Sequence, residues 1–346
     1  VQRYAPDLLY LTWSTYHMVD QTPANGVNFY EYGKALYDHP AKFKINGFEH
    51  SNTEEKEWFT FDICSFWSRN CTAEWGPFYF PPGPHQQKVD LLTERLWNGI
   101  ANGQIGWDLF AFSVAGAGPS NYFDVMDLPL PLGWQLVLLN EEFKRFDHVI
   151  LDGTRDEPPV RIVYSNTTRR HTCWPGVEGD LSHRAVGGLY DYFKHAHLDA
   201  RAIDEQAVWE GHLPAACKLL VLPEVIYQNH RLHDAVVRYL EAGGCVLVTP
   251  GSGRFDEYGR RRDAWFALAG VRPVEAKSRV IDLGGGRKYF STAHADRMVG
   301  LDPLFPETTR VLLRYADGVA VLTETPVAAG RLFVLGCDLG QDCHSQ

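Results

Sequence analysis

The chain has seven cysteines but no C-x-x-C pair, and their number is odd. This speaks against a disulfide framework and against a structural zinc site, and it favours a reducing, cytoplasmic compartment. No basic run exceeds Arg260-Arg261-Arg262, and the formal net charge is −10. Nucleic acid is therefore excluded as the main ligand. No apolar run is long enough to cross a bilayer, so no membrane partner is expected. There is no G-x-S-x-G elbow, and Gly251 and Gly253 lack the rest of a G-x-G-x-x-G run. Gly284-Gly285-Gly286 reads most simply as a β-turn. No cofactor is implied. His17, His50 and His85 share no ligand spacing, so no metal site is expected. The chain opens at Val1 without a signal peptide and closes just after a strand-like run. It reads as an internal piece of a longer protein.

Aromatic residues, by contrast, are plentiful, with ten Trp and sixteen Tyr. Flat rings suit sugar C–H faces, although a large core accounts for most of them. At 346 residues two domains are expected. Strand-like runs near residues 8, 43, 71 and 107 are each followed by a helical pattern. The clearest helix is Gln86 to Asn102, with Val89, Leu92, Leu96 and Ile100 on one face. A second covers Trp134 to Ile150. Repeating βα units at this spacing predict a parallel sheet, either part of an open sheet or half of an eight-fold barrel. The expected strand ends hold Trp13, Tyr16, Glu49, His50, Glu74, Trp75 and Phe112. Carboxyl ends of barrel strands carry function, and this set is polar, aromatic and acidic, which favours the barrel. Asp152 to Pro159 is a charged linker closed by two prolines.

The remaining residues, 160–346, predict a βαβαβ arrangement with added β structure, a flavodoxin-like doubly wound domain. Its strands are expected at Val160–Tyr164, Lys218–Pro223 and Cys245–Thr249. Later strands are expected at Arg279–Leu283, Lys288–Phe290, Val311–Tyr315, Val319–Leu322 and Arg331–Val334. His230 to Gly243 is its most regular helix. Leu198 to Val208 reads as a short strand and turn, and the segment after Tyr164 as a polar loop carrying Trp174. Cys217 precedes its strand and Cys245 begins one. Neither stands on a strand-to-helix elbow, so the domain reads as structural or interfacial.

Glu74 is the main catalytic candidate. It closes the run Cys71-Thr-Ala-Glu74, and a Gly-Pro bend and aromatic loop follow. A retaining glycosidase needs an ionised carboxylate on a rigid element, with a second carboxylate about 5 Å away. A solvated Glu after a strand is the bland alternative, and Trp75, Phe78 and Tyr79 tilt the balance. Glu49 reads as a partner acid, an orienting group or a solvated loop residue. His50 reads as a partner for sugar hydroxyls. Trp13, Trp75 and Phe112 read as sugar platforms or as core.

The two halves together resemble the β-galactosidases of glycoside hydrolase family 42 and their relatives. The barrel part of the likeness runs from Arg95-Leu96-Trp97 through Asn102-Gly103 to Asp108-Leu109-Phe110. The rest lies in Leu219 to Pro223, Tyr239 to Val248 and Trp265 to Val271. The resemblance implies that residues 1–151 are the fifth to eighth strands of a TIM barrel with their helices. It makes 152–159 the linker and 160–346 an amidotransferase-like trimerisation domain. Glu74 then falls on the seventh strand as nucleophile, in a β-galactosidase-like retaining hydrolase. The acid/base Glu falls on the fourth strand, upstream of Val1. The implied partners are a carbohydrate substrate and two further copies in a homotrimer. Phe112-Ser113 stands where the family has Trp-Arg, which leaves the sugar open. A non-catalytic carbohydrate-binding or assembly protein with a degenerate barrel is the rival reading.

Overall fold

A computed structural model of the chain describes residues 10–14, 44–49, 59, 62–63, 65–66, 71–75, 85–109, 130–172, 180–291 and 298–340. The chain divides into two compact units, and the change falls between Asp156 and Glu157.

The first unit contains a four-stranded parallel sheet of β1 (Tyr10–Ser14), β2 (Lys44–Glu49), β3 (Cys71–Trp75) and β4 (Gly106–Leu109). Neighbours in the sheet are neighbours in sequence. Between β3 and β4 runs α1 (His85–Ala101). Its stop is local. Gly103 adopts φ +96, its N–H donates to Ile100 O at 3.0 Å, and Gln104 N donates to Gly99 O at 2.9 Å. A glycine after the last turn meets that left-handed requirement without a Cβ penalty.

The helix expected over 134–150 is two helices, α2 (Pro131–Lys144) and α3 (Asp147–Asp152). The first begins early because Pro131 occupies a first-turn position, where a missing N–H costs nothing. The break follows Arg145 and Phe146, whose N–H groups turn back onto Glu142 O and Phe143 O. Leu92 and Leu96 of α1 pack on Leu132, Leu136, Leu139 and Phe143 of α2. Trp97 lies 4.4 Å from the Phe143 ring. In the segment expected to be helical before β3, Phe59, Asp62 and Ile63 are helical and buried. The buried Asp62 carboxylate accepts from Arg155 at 3.3 Å.

The second unit is built on an eleven-stranded sheet. Its parallel part contains β5 (Val160–Tyr164), β6 (Ala200–Asp204), β7 (Leu219–Leu222), β9 (Cys245–Val248) and β17 (Gly330–Leu335). In space they run β6-β5-β7-β9-β17. Ile162, Val163, Leu220, Val221, Val246, Leu332 and Val334 are all fully buried. Such continuous apolar runs are what strands covered on both faces require. Antiparallel strands extend the sheet beyond β17: β16 (Ala320–Val327), β15 (Arg310–Tyr315), β12 (Val280–Gly284) and β13 (Arg287–Phe290). Four strands escaped the sequence reading: β8 (Tyr227–Gln228) and β10 (Phe255–Asp256), which pair parallel in a separate two-stranded sheet, and β11 (Val271–Glu275) and β14 (Val299–Pro303), which pair antiparallel. Among the described strands β11 pairs only β14, and an edge place tolerates Pro273.

Two short stretches also differ from expectation. The polar loop after β5 holds a helix, α4 (Asn166–Thr172). A longer helix, α5 (Asp180–His195), follows. The strand and turn expected over 198–208 is β6 followed at once by α6 (Glu205–Trp209), because Asp204 caps that helix by accepting from Gln206 N at 2.8 Å. The regular helix α7 (His230–Glu241) is capped by Asn229, which accepts from Arg231 N at 2.9 Å. It buries Leu232, Ala235, Val236 and Leu240. The short helix α8 spans Ala264–Ala269.

Candidate active site

The carboxyl ends of β2, β3 and β4 lie in one register. Glu49 is paired with Glu74, and Glu74 with Asp108. Three acidic residues thus occupy one row across three adjacent parallel strands. Neighbouring strands lie roughly 4.8 Å apart. Trp13 belongs to the row two residues earlier, with Gly47, Thr72 and Gly106. Trp75 and Leu109 occupy the row next to the acidic one. Tyr16, His50 and Phe112 lie outside the described residues, as does the aromatic loop after Trp75. Asp108 was not read as a site residue from sequence. Counting back from the strand ends is the signal that finds it, since Asp108, like Glu74, is the last residue but one of its strand.

In the second unit several buried carboxylates lie at the carboxyl end of the parallel sheet, and two of them, Glu224 and Glu205, hold its loops. Glu224 follows β7 with φ +47, a left-handed conformation rare for a residue with a side chain. This is where a strand-to-helix elbow would display a nucleophile. Glu224 is instead fully buried. Its Oε1 accepts from Gly251 N at 2.9 Å and Thr249 Oγ1 at 2.9 Å, while its own N–H donates to Thr249 Oγ1 at 2.7 Å. Ser252 Oγ donates to Leu222 O at 2.6 Å and accepts from Val225 N at 3.2 Å. The Thr249–Gly253 loop, with its glycines, is therefore folded onto Glu224 rather than around a phosphate. Thr249→Val strips this carboxylate and its N–H of one partner each. It is expected to lower the unfolding free energy by about 2 kcal/mol in urea denaturation.

The second buried carboxylate is Glu205. Its Oε1 accepts from Thr167 N at 2.6 Å and Thr167 Oγ1 at 2.8 Å, and its Oε2 from Ser165 Oγ at 2.7 Å. Beside it Asp204 accepts from Asn166 Nδ2 at 2.8 Å. Burial first, and the Asp204 charge second, push the Glu205 carboxyl up to about 7, against the pull of the Ser165 and Thr167 hydrogen bonds. The backbone and hydroxyl donors at the start of α4 thus serve the chain's own carboxylate.

Residues 181–346 match the family model of the β-galactosidase trimerisation domain. This chain is similar to the glycoside hydrolase family 42 β-galactosidases. The β-galactosidase from Bacillus circulans sp. alkalophilus superimposes with a TM-score of 0.74 at 16% identity, over 99% of this chain and 53% of that one. The family 42 enzyme Gan42B from G. stearothermophilus does so at 0.74 and 14%, over 99% and 53%. An exo-β-1,4-mannosidase from Opitutaceae bacterium strain TAV5 gives 0.62 and 12%, over 88% and 57%. At these identities the likeness is one of fold, a mixed α/β architecture with a large sheet. The chain spans about half the length of these solved relatives. No curated protein matches it by sequence.

Cys217 and Cys245 are poor candidates for chemistry. Cys217 lies just before β7 and Cys245 opens β9, so both stand at the amino ends of their strands. The Cys217 thiol is raised by burial, which disfavours the thiolate. Among the described residues no group of His, Cys, Asp and Glu is arranged to hold a metal ion. No described helix is long and apolar enough to cross a membrane.

Proposed function

We propose that this chain carries the nucleophile half of a retaining glycoside hydrolase that cleaves terminal β-glycosides, with a β-galactoside as the substrate to test first. Residues 1–151 are read as the last four βα units of a (β/α)8 barrel, and 160–346 as a flavodoxin-like, amidotransferase-like trimerisation domain. The observation that carries the proposal is the acidic row Glu49–Glu74–Asp108 at the carboxyl ends of consecutive parallel strands. Like charges side by side are a poor choice for a sheet that needs only stability. They suit a site that handles an oxocarbenium-like centre.

Glu74 then attacks the anomeric carbon, and the bond to the leaving oxygen breaks. The leaving oxygen takes its proton from an acid/base carboxyl assigned to the fourth barrel strand, which these 346 residues do not include. Water, deprotonated by that same group, cleaves the glycosyl ester and restores Glu74. Glu49 and His50 take sugar hydroxyls, and Trp13, Tyr16, Trp75 and Phe112 shape the pocket. Both the β-galactosidase and the β-mannosidase likenesses fit a pocket for one terminal sugar. One consequence is directly testable. The 346-residue chain alone is expected to leave an aryl β-galactoside intact, and clear turnover would overturn the assignment of the proton donor to another segment.

A further inference from the structure

Gln228 of β8, Gly253 of the loop after β9 and Trp265 of α8 meet at one place in the second unit. The Gln228 and Trp265 side chains are both buried, each 1% exposed. Among the described residues, Oε1 and Nε2 of Gln228 have no hydrogen-bond partner, and neither has the indole Nε1 of Trp265. Nδ1 of His233, on α7, is a fourth such atom, and its ring lies 4.9 Å from the indole. Burial first, and the Arg262 charge second, hold this imidazole below its usual range, so it is uncharged at neutral pH. Gly253 stands between the amide and the indole. A Cβ built on it would lie 2.8 Å from Gln228 Oε1 and 2.8 Å from Trp265 Nε1. One small group beside Gly253 therefore reaches both. The backbone of Gly253 is engaged elsewhere: its N–H donates to Val225 O at 2.8 Å, and its O accepts from Ala264 N at 3.1 Å.

We propose that Gln228 and Trp265 hold one internal water molecule beside Gly253. A buried polar atom left unpaired costs its full desolvation, and several around one residue point to a shared polar ligand. An indole N–H only donates and an amide oxygen only accepts, so a molecule that does both bridges them. The Gln228 amide N–H and His233 Nδ1 offer a third bond, the number such waters commonly make. Both side chains are shut off from solvent, which selects a molecule of that size over a substrate. The water fastens the Thr249–Gly253 loop at Gly253, as Glu224 fastens it at Gly251. The crevice outside the carboxyl ends of the parallel strands, where doubly wound sheets take ligands, is then closed from within by the chain's own groups.

Two measurements on the full 346-residue chain test this. The first is a crystal structure at a resolution that shows ordered water. It should place one water within hydrogen-bond reach of both Trp265 Nε1 and the Gln228 amide. The second is a double-mutant cycle of Gln228→Leu and Trp265→Phe, read by urea unfolding. Each substitution should lower the folding equilibrium constant about tenfold or more, because each strands the other group. The double variant should be at least about fivefold more stable than two independent effects multiply to, because it leaves nothing stranded. A dry contact or a direct Nε1–Oε1 hydrogen bond in the crystal overturns the proposal, and so do two effects that simply multiply. If a variant fails to fold, the crystal structure alone decides.

Discussion

Glu74→Gln, placed in a polypeptide that carries the complete barrel, is expected to lower kcat for an aryl β-galactoside by roughly 10⁴-fold or more. The substitution keeps the volume of the side chain and removes the charge. Without a carboxylate no glycosyl ester forms, and the loss corresponds to about 5 kcal/mol of transition-state stabilisation. KM should move little, because the neutral amide still fills the same space in the ground state. A small nucleophile separates this role from a structural one. Glu74→Ala supplied with azide should regain part of its turnover and yield the α-glycosyl azide from a β-glycoside. A residue that only supports the sheet gives no such product. Glu49→Gln and Asp108→Asn should be milder, because the proposal makes neither of them the nucleophile.

The second large effect concerns pH and the second unit. Glu205 is buried, and its carboxyl is pushed up to about 7 in the folded protein, against an ordinary value of 4.5. Between these values the folded state binds a proton that the unfolded state releases. Stability from this group is therefore fully present below about pH 4.5, declines as pH rises, and is lost above about pH 7. The span corresponds to about 3 kcal/mol. Other carboxylates titrate in the same range, so the informative quantity is the difference between the unmodified chain and Glu205→Gln. The amide retains a carbonyl oxygen for Thr167 and carries no charge at any pH. Urea unfolding at intervals from pH 4.5 to 7.5 should show that difference shifting by about 3 kcal/mol in favour of the variant. A difference that stays flat across the range contradicts the assignment.

The four strands of the first unit were legible because each is a short β-rich run before a clear helical pattern. The regular helix α7 was legible for the same local reason: its apolar spacing and its asparagine cap lie within a few residues. What escaped was non-local. The sequence shows Glu49, Glu74 and Asp108 at separate strand ends, but their shared row depends on how far each strand slides against the next. The apolar run after Trp107 drew attention to Phe112, although the described ladder reaches only Leu109. The helix α4 was missed because Asn166-Thr167-Thr168 has weak helix propensity. It is held by a carboxylate from the next βα turn, Glu205. The elbow question shows the same limit. The missing G-x-C-x-G and G-x-S-x-G patterns excluded a nucleophile. Only the backbone angle of Glu224 and its bonds to the Thr249–Gly251 segment show a buried carboxylate in that place.

If Glu74 becomes covalently bound to sugar during turnover, a mechanism-based label will be trapped on it. A polypeptide with the complete barrel is incubated with an activated 2-deoxy-2-fluoro-β-galactoside, digested and sequenced by mass spectrometry. One added fluorosugar is expected on the peptide that contains Cys71 to Trp75, localised to Glu74 and absent from Glu74→Gln. A label on Glu49 or Asp108, or steady hydrolysis with no labelled carboxylate, would contradict it.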